Sequence, residues 1–464
     1  MKKLFVIAGF VVASFHSIPL SAQTPIADQY RPAANRIIAA AMADSSAWNR
    51  LAEMTDKFGH RLSGSESLER TIDWILVQMK NDGLENVHGE KVMVPHWVRG
   101  AESATLISPR AAALHMIGLG RSVGTPARGI TAPVMIVSSF DDLTKRAAEA
   151  KGKIVLFDVP FTSYGATVRY RGGAASAAAR VGAVAALIRS VSSYSIQNPH
   201  TGAMNYDTTV KAKIPAAALS VEDALMLHRM VNRGERVVVN LKMGAKTLPD
   251  APSRNIIAEI RGSEKPDEVV VLGGHIDSWD VGTGAMDDGG GVVAAWEAVK
   301  LIKKLGLKPR RTIRVVAWTN EENGSKGGTG YRDAHRAEMD KHVLAMESDN
   351  GVFDVQGLGI SAGAGGLATA QDIASLLTPI GANKATEGGS DADTDPLNAL
   401  GVPTISPNVD GTRYFWFHHS SGDTMDKIDP REMAENVAFL AVTAFVAADM
   451  PGYIPRSAIR VTGR

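Results

Sequence analysis

Residues 269–305 read VVVLGGHIDSWDVGTGAMDDGGGVVAAWEAVKLIKKL. The run 269–273 is apolar and of strand length, and 292–305 repeats apolar residues at helical spacing. The rhythm continues downstream, with strands predicted at 312–319 and 343–346 and helices at 367–378 and 432–447. This alternation predicts an α/β fold: a mostly parallel, mixed sheet sandwiched between helices. In such sheets ligands gather outside the carboxyl ends of the strands.

The polar residues of this region stand at those ends. His275 and Asp277 follow the first strand, Glu321 and Glu322 the second, and Asp349 the third, while Asp287 and Asp288 open the helix. His418 and His419 come later, in YFWFHHSSGDT at 414–424. Imidazoles and carboxylates form a mixed N/O donor set that suits zinc, and there are enough of them for two ions. If the strand pattern persists for two more residues, His275 and Asp277 project to one side, and the carboxylate can then hold the imidazole's other nitrogen. Asp287 and Asp288 also fit helix caps. The glycines after them raise phosphate binding, but neither the P-loop nor the dinucleotide pattern is there. Of Glu321 and Glu322, one can ligate while the other accepts a proton from the attacking water. His418 and His419 are adjacent, so normally only one aims at a given ion. The aromatic run before them reads as a core strand or as a pocket wall.

Working outward, residues 25–54 carry a helical stripe of Ala34, Ile37, Ile38, Met42, Trp48 and Leu51. A second helix opens at Ser65 and ends at Asn81-Asp-Gly83, and a strand is predicted at 87–95. Between 117 and 242 the character changes. Short Val/Ile/Ala runs at 133–137, 153–158, 183–188, 216–219 and 236–241 alternate with Gly and Pro, with helices at 173–181 and 222–232. His200 and His228 are isolated there and read as structural or surface residues.

A chain of 464 residues is too long for one ordinary core, so two domains are expected. Lys+Arg (50) and Asp+Glu (49) nearly cancel, which gives no electrostatic case for nucleic acid or an anionic membrane. With Cys 0, disulfides and thiolate ligands are excluded. The N-terminus has two lysines, an apolar run from Leu4 to Phe15, and small residues Ser21 and Ala22 before Gln23. It reads as a signal peptide over 1–22, too short to span a bilayer. No later segment is long enough to span one. The expected location is exported, periplasmic or extracellular.

HIDSWDVGTGAMDDGGG, NEENG, MESD and YFWFHHSSGDTMDKIDP together resemble the co-catalytic di-zinc exopeptidases, the family of zinc aminopeptidases and glutamate carboxypeptidases. They look most like its plasma glutamate carboxypeptidase branch. KGKIVLFD, GAVAALIRS and IPAAALSVEDA resemble the protease-associated domain inserted there. The resemblance implies a zinc peptidase domain over 23–116 and 243–464, with the insertion at 117–242. It implies two zinc ions per chain: Asp287 bridging, His275 and Asp349 completing one site, Glu322 and His419 the other. Asp423 and Thr424 follow His419 at the family's spacing, which selects it over His418. Glu321 would be general base, Asp277 would support His275, and the Asp287–Asp288 peptide would be cis. Asp391, Tyr414 and Trp416 would meet substrate. Ser325 and Ser421 depart from the family pattern, and neither is a ligand.

The expected activity is hydrolysis of dipeptides or short peptides with a free N-terminus. A carboxypeptidase, an amidohydrolase acting on non-peptide amides, and a non-catalytic binding protein on the same fold are the alternatives. The family also makes a homodimer plausible, though composition does not demonstrate one.

Overall fold

The computed structural model describes residues 25–460, so the expected leader lies outside the described residues. The main sheet has eight strands and is built around Lys265–His275. That strand pairs in parallel with Arg311–Trp318 on one side and His342–Glu347 on the other. Thr404–Val409 continues the parallel set. Towards one edge, Lys246–Ile260 and Glu85–Val98 run antiparallel. Towards the other, Val355–Ser361 turns antiparallel and Lys384–Glu387 closes the sheet. The α/β class read from the sequence holds.

Every residue of Arg311–Trp318 and of His342–Glu347 is buried. Helices cover both faces there, which is why these strands read as unbroken apolar runs. Gly290–Lys304 and Pro430–Asp449 pack together and are buried along almost their whole length. They share the largest core with Ile26–Met42 and Ser46–Phe58.

A second eight-stranded sheet is built from chain between Glu85–Val98 and Lys246–Ile260. Its strands run from Glu102–Ser108 to Val238–Met243, and it has its own two apolar clusters. The first of these strands starts ahead of the expected boundary at 117, because Glu102–Ser108 pairs with Val238–Met243 rather than with the main sheet. Trp279 joins the two units. Its ring lies so close to Gly120 that a Cβ there would stand 2.0 Å from it. Among the described residues, no helix is long and apolar enough to cross a membrane.

Three local expectations change. The stripe at 25–54 is two helices, Ile26–Met42 and Ser46–Phe58; between them Asp44 Oδ1 accepts Ser46 N–H at 2.8 Å, a local bond that competes with the helix. The aromatic run is a helical turn, Tyr414–Phe417, not a strand. Val355–Ser361 and Thr404–Val409 escaped notice because Gly357, Gly359 and Pro407 dilute their apolar signal.

Arg61 ties the loop after the central strand to the rest of the domain. It is fully buried and donates to the carbonyls of Ile276 (2.6 Å), Thr283 (2.7 Å) and Gly284 (2.8 Å). Arg61→Met leaves these carbonyls without their donor. It should cost the ion-free protein about 3–5 kcal/mol in urea unfolding. A change below about 1 kcal/mol would contradict this account.

Candidate metal centre

The strand ends bring the expected residues together. His275 is the last residue of its strand and is fully buried. Its Nε2 lies 3.2 Å from Asp287 Oδ1 and 3.2 Å from Asp349 Oδ1. On the other side of Asp287, Oδ2 is 3.3 Å from His419 Nε2, which is 2.8 Å from Glu322 Oε2. Asp287 is thus shared by two clusters. His418 is nearer than expected, with Nε2 at 3.6 Å from the same Oδ2. The two imidazoles stack at 3.5 Å between centroids because His419 takes a left-handed backbone, φ +59°.

Asp277 acts differently from the expectation. The backbone carbonyl of Asp277, not its carboxylate, meets His275 Nδ1 at 2.9 Å. The carboxylate is 3.8 Å from that nitrogen; it accepts Glu321 N–H at 3.0 Å and Ser63 O–H at 3.1 Å. Strand geometry does not persist past His275, so the alternation argument falls two residues short of Asp277. Asp277 therefore places Glu321 as well as sitting beside His275.

Asp288 holds the strand to the helix. It accepts His275 N–H and Gly291 N–H, both at 3.0 Å. The Asp287–Asp288 peptide is cis. The glycines here serve close packing, not phosphate: a Cβ on Gly291 would stand 1.9 Å from Ser348 O. Asp423 accepts Met286 N–H at 2.7 Å and Asp287 N–H at 3.2 Å, fixing the bridging residue's backbone. Glu347 accepts Asp393 N–H and Thr394 N–H, both at 3.0 Å, and so shapes the loop that carries Asp391.

A cavity of about 260 Å³ opens onto these groups. Asp287, Glu321, Glu322, Asp349 and His419 line it, with Asp391 and Tyr414. Trp416 does not: around the helical turn it points away and packs on Tyr194, 5.8 Å between centroids. Phe415 takes the wall position instead. Tyr164 and Arg171 reach the cavity from the second unit, in a helix that carried no sequence signal for this site. Arg171 is buried, lies 3.2 Å from His419 Nδ1, and forms no ion pair among the described residues. Ser325 and Ser421 do not line the cavity.

The donor set fits divalent cations. His275, Asp287 and Asp349 offer ligand atoms within 4.8 Å of one another, as do Asp287, His418 and His419. Asp287 Oδ2 and Glu322 Oε1 are buried without a hydrogen-bond donor. Lone pairs held this close need protons or cations between them. Without ions, protons serve. Burial opposes charge on His275, yet Asp349 and Asp287 raise it well above its ordinary range. Burial likewise opposes charge on Asp287, which His275 and His419 nevertheless hold far below the usual carboxylate range. Glu321 is pushed well up, first by burial and then by Asp349 and Glu322.

Burial also pushes Asp393 and Asp423 up to about 7 from 3.8, with repulsion from Asp277 and Asp287 respectively adding to it. A carboxyl with a raised folded-state pKa stabilises the fold below its unfolded value; that stability is lost as pH rises through the folded value. His275 and His419 are also raised and act in the same direction. Chelated protein should therefore melt lower at about pH 7.5 than at about pH 5, and zinc should reverse that order. Equal melting temperatures with and without zinc would contradict this.

The peptidase family M28 model matches residues 255–444, which contain the strand-end cluster. Carboxypeptidase Q of Mus musculus is 48% identical over 410 residues, covering 88% of this chain and 87% of the mouse protein. The crystal structure of a peptidase M28 precursor from Shewanella amazonensis SB2B superposes with TM-score 0.90 at 36% identity, covering 93% of this chain and 100% of that one. A zinc aminopeptidase from Bacillus subtilis shares the fold at TM-score 0.67 and 19% identity, over 89% of this chain and 98% of its own. The chain belongs to peptidase family M28.

Proposed function

We propose that this metallo-exopeptidase cleaves dipeptides or short peptides with a free N-terminus, using two zinc ions and Glu321 as general base. The observation that carries the reading is Asp287, one carboxylate shared by two clusters beside a cavity that also holds Glu321. His275 and Asp349 would complete one site, and Glu322 and His419 the other. When bound, the ions supply Lewis acidity toward a water and toward the scissile carbonyl.

The chain's own residues do the rest. Glu321 accepts a proton from the attacking water and hands it to the leaving amine. Its neighbours suit it to this, because burial and nearby carboxylates raise its affinity for the proton. Asp277 aims it through the bond to Glu321 N–H. Tyr414 keeps its proton, since burial among carboxylates pushes it well above its ordinary range, and it donates to the bound peptide.

Asp391 supports a free α-amine. It lines the cavity, and its Oδ2 is buried without a partner. A carboxypeptidase reading has one observation in its favour: Arg171 lines the cavity, its Nε has no hydrogen-bond partner, and it forms no ion pair among the described residues. A dipeptide offers a charged end to each. The second sheet fits an inserted protease-associated domain that supplies Arg171. Export rests on the leader sequence at 1–22 alone.

Glu321→Gln should keep its zinc content, measured by elemental analysis, and lose about 10²- to 10⁴-fold in kcat. Substantial residual turnover would sink the base assignment. Acetylating the N-terminus of a dipeptide should lower kcat/KM by about 10- to 100-fold, and Asp391→Asn should shrink that penalty. Equal hydrolysis of blocked and free substrates by the wild type would overturn the polarity.

A further inference from the structure

His419 reaches its cluster only through a left-handed backbone, φ +59°, which L side chains rarely adopt. That turn folds both imidazoles to one side and brings both Nε2 atoms toward Asp287. Part of it is local: Ser420 N–H donates to Phe417 O at 3.1 Å, closing a turn in which His418 has φ −47° and ψ 126°. A loop of the second unit restrains it further.

His200 Nδ1 donates to the carbonyl of His418 at 2.6 Å. Thr201 N donates to the carbonyl of His419 at 2.8 Å. Consecutive residues therefore hold consecutive carbonyls, one on each side of the two rotatable backbone bonds of His419. With both flanking peptide planes anchored, φ and ψ are set together. Asn198 adds a bond from Nδ2 to Ser420 Oγ at 2.8 Å. His200 is 1% exposed, and its Nε2 has no partner. Burial pushes its pKa down to about 4, so the neutral ring carries one proton, and the contact with the carbonyl puts it on Nδ1.

We propose that His200 and Thr201 are positioning residues for His419, so that cation binding on the Glu322–His419 side depends on the second unit. The inference rests on the assignment of His419 as a ligand in the proposed function. It makes the second unit part of the metal site as well as a wall of the cavity.

The test is zinc titration of ion-free protein by calorimetry, with cobalt absorption as a reporter of ligand geometry. His200→Leu removes the donor. It should weaken one of two binding phases about 10- to 100-fold and alter the cobalt spectrum, leaving the other phase in place. His200→Asn puts an amide N–H near the position of Nδ1 and should restore affinity to within about threefold. A merely structural role would lower the melting temperature of the ion-free protein without separating the two phases or being rescued by asparagine. If His200→Leu fails to fold, Asn198→Ala should give a smaller shift in the same phase. Wild-type affinities in His200→Leu, or equal weakening of both phases, would overturn the inference. A wild type that binds a single ion would end the two-ion reading; His200→Leu then decides this inference by whether that ion's affinity falls.

Discussion

Asp287 is held between two imidazoles, His275 at 3.2 Å and His419 at 3.3 Å, and is almost wholly buried, so little solvent is left to relieve its charge. Much of the molecule follows from keeping that carboxylate in place. Its backbone N–H and that of Met286 are bound by Asp423, and the following Asp288 ties the end of the central strand to the start of the next helix. A carboxylate with two close nitrogen bases and further carboxylates around it is stable only with positive charge between them, whether protons or metal ions.

Electrostatics also explains the inventory of buried polar groups. Glu321, Glu322, Asp349, Asp391, Asp393 and Asp423 all have their carboxyls raised, burial being the first cause for each. Stability alone does not favour such a cluster, because burying like charges is unfavourable. Its concentration at the strand ends is what a cation site and a general base require. Arg61 and Glu347 serve the loops rather than the reaction: each gathers backbone groups that would otherwise be buried unpaired.

The centre is made by two units. The main sheet supplies the ligands, while the second supplies Tyr164 and Arg171 to the cavity and His200 and Thr201 to the backbone of His419. Close contact between Trp279 and Gly120 holds the units in register. Arg171 and Asp391 both line the cavity, so a cation and a carboxyl share it.

The sequence by itself determined the α/β class, because apolar strands and helical stripes alternate from residue 269 onward and period alone reports burial. It also determined the ligand candidates, since strand ends can be located to within a residue or two and His275, Glu321, Glu322 and Asp349 lie there. Only the tertiary structure decided what depends on side-chain direction or on distant chain. The carboxylate of Asp277 turned to Glu321 because the strand stops at His275. Trp416 left the cavity and Phe415 entered it because 414–417 is a helical turn. His200, isolated among small apolar strands, became a contact of the metal loop 218 positions away in the chain. Local pattern records how a segment is buried, not which remote segment comes to rest against it.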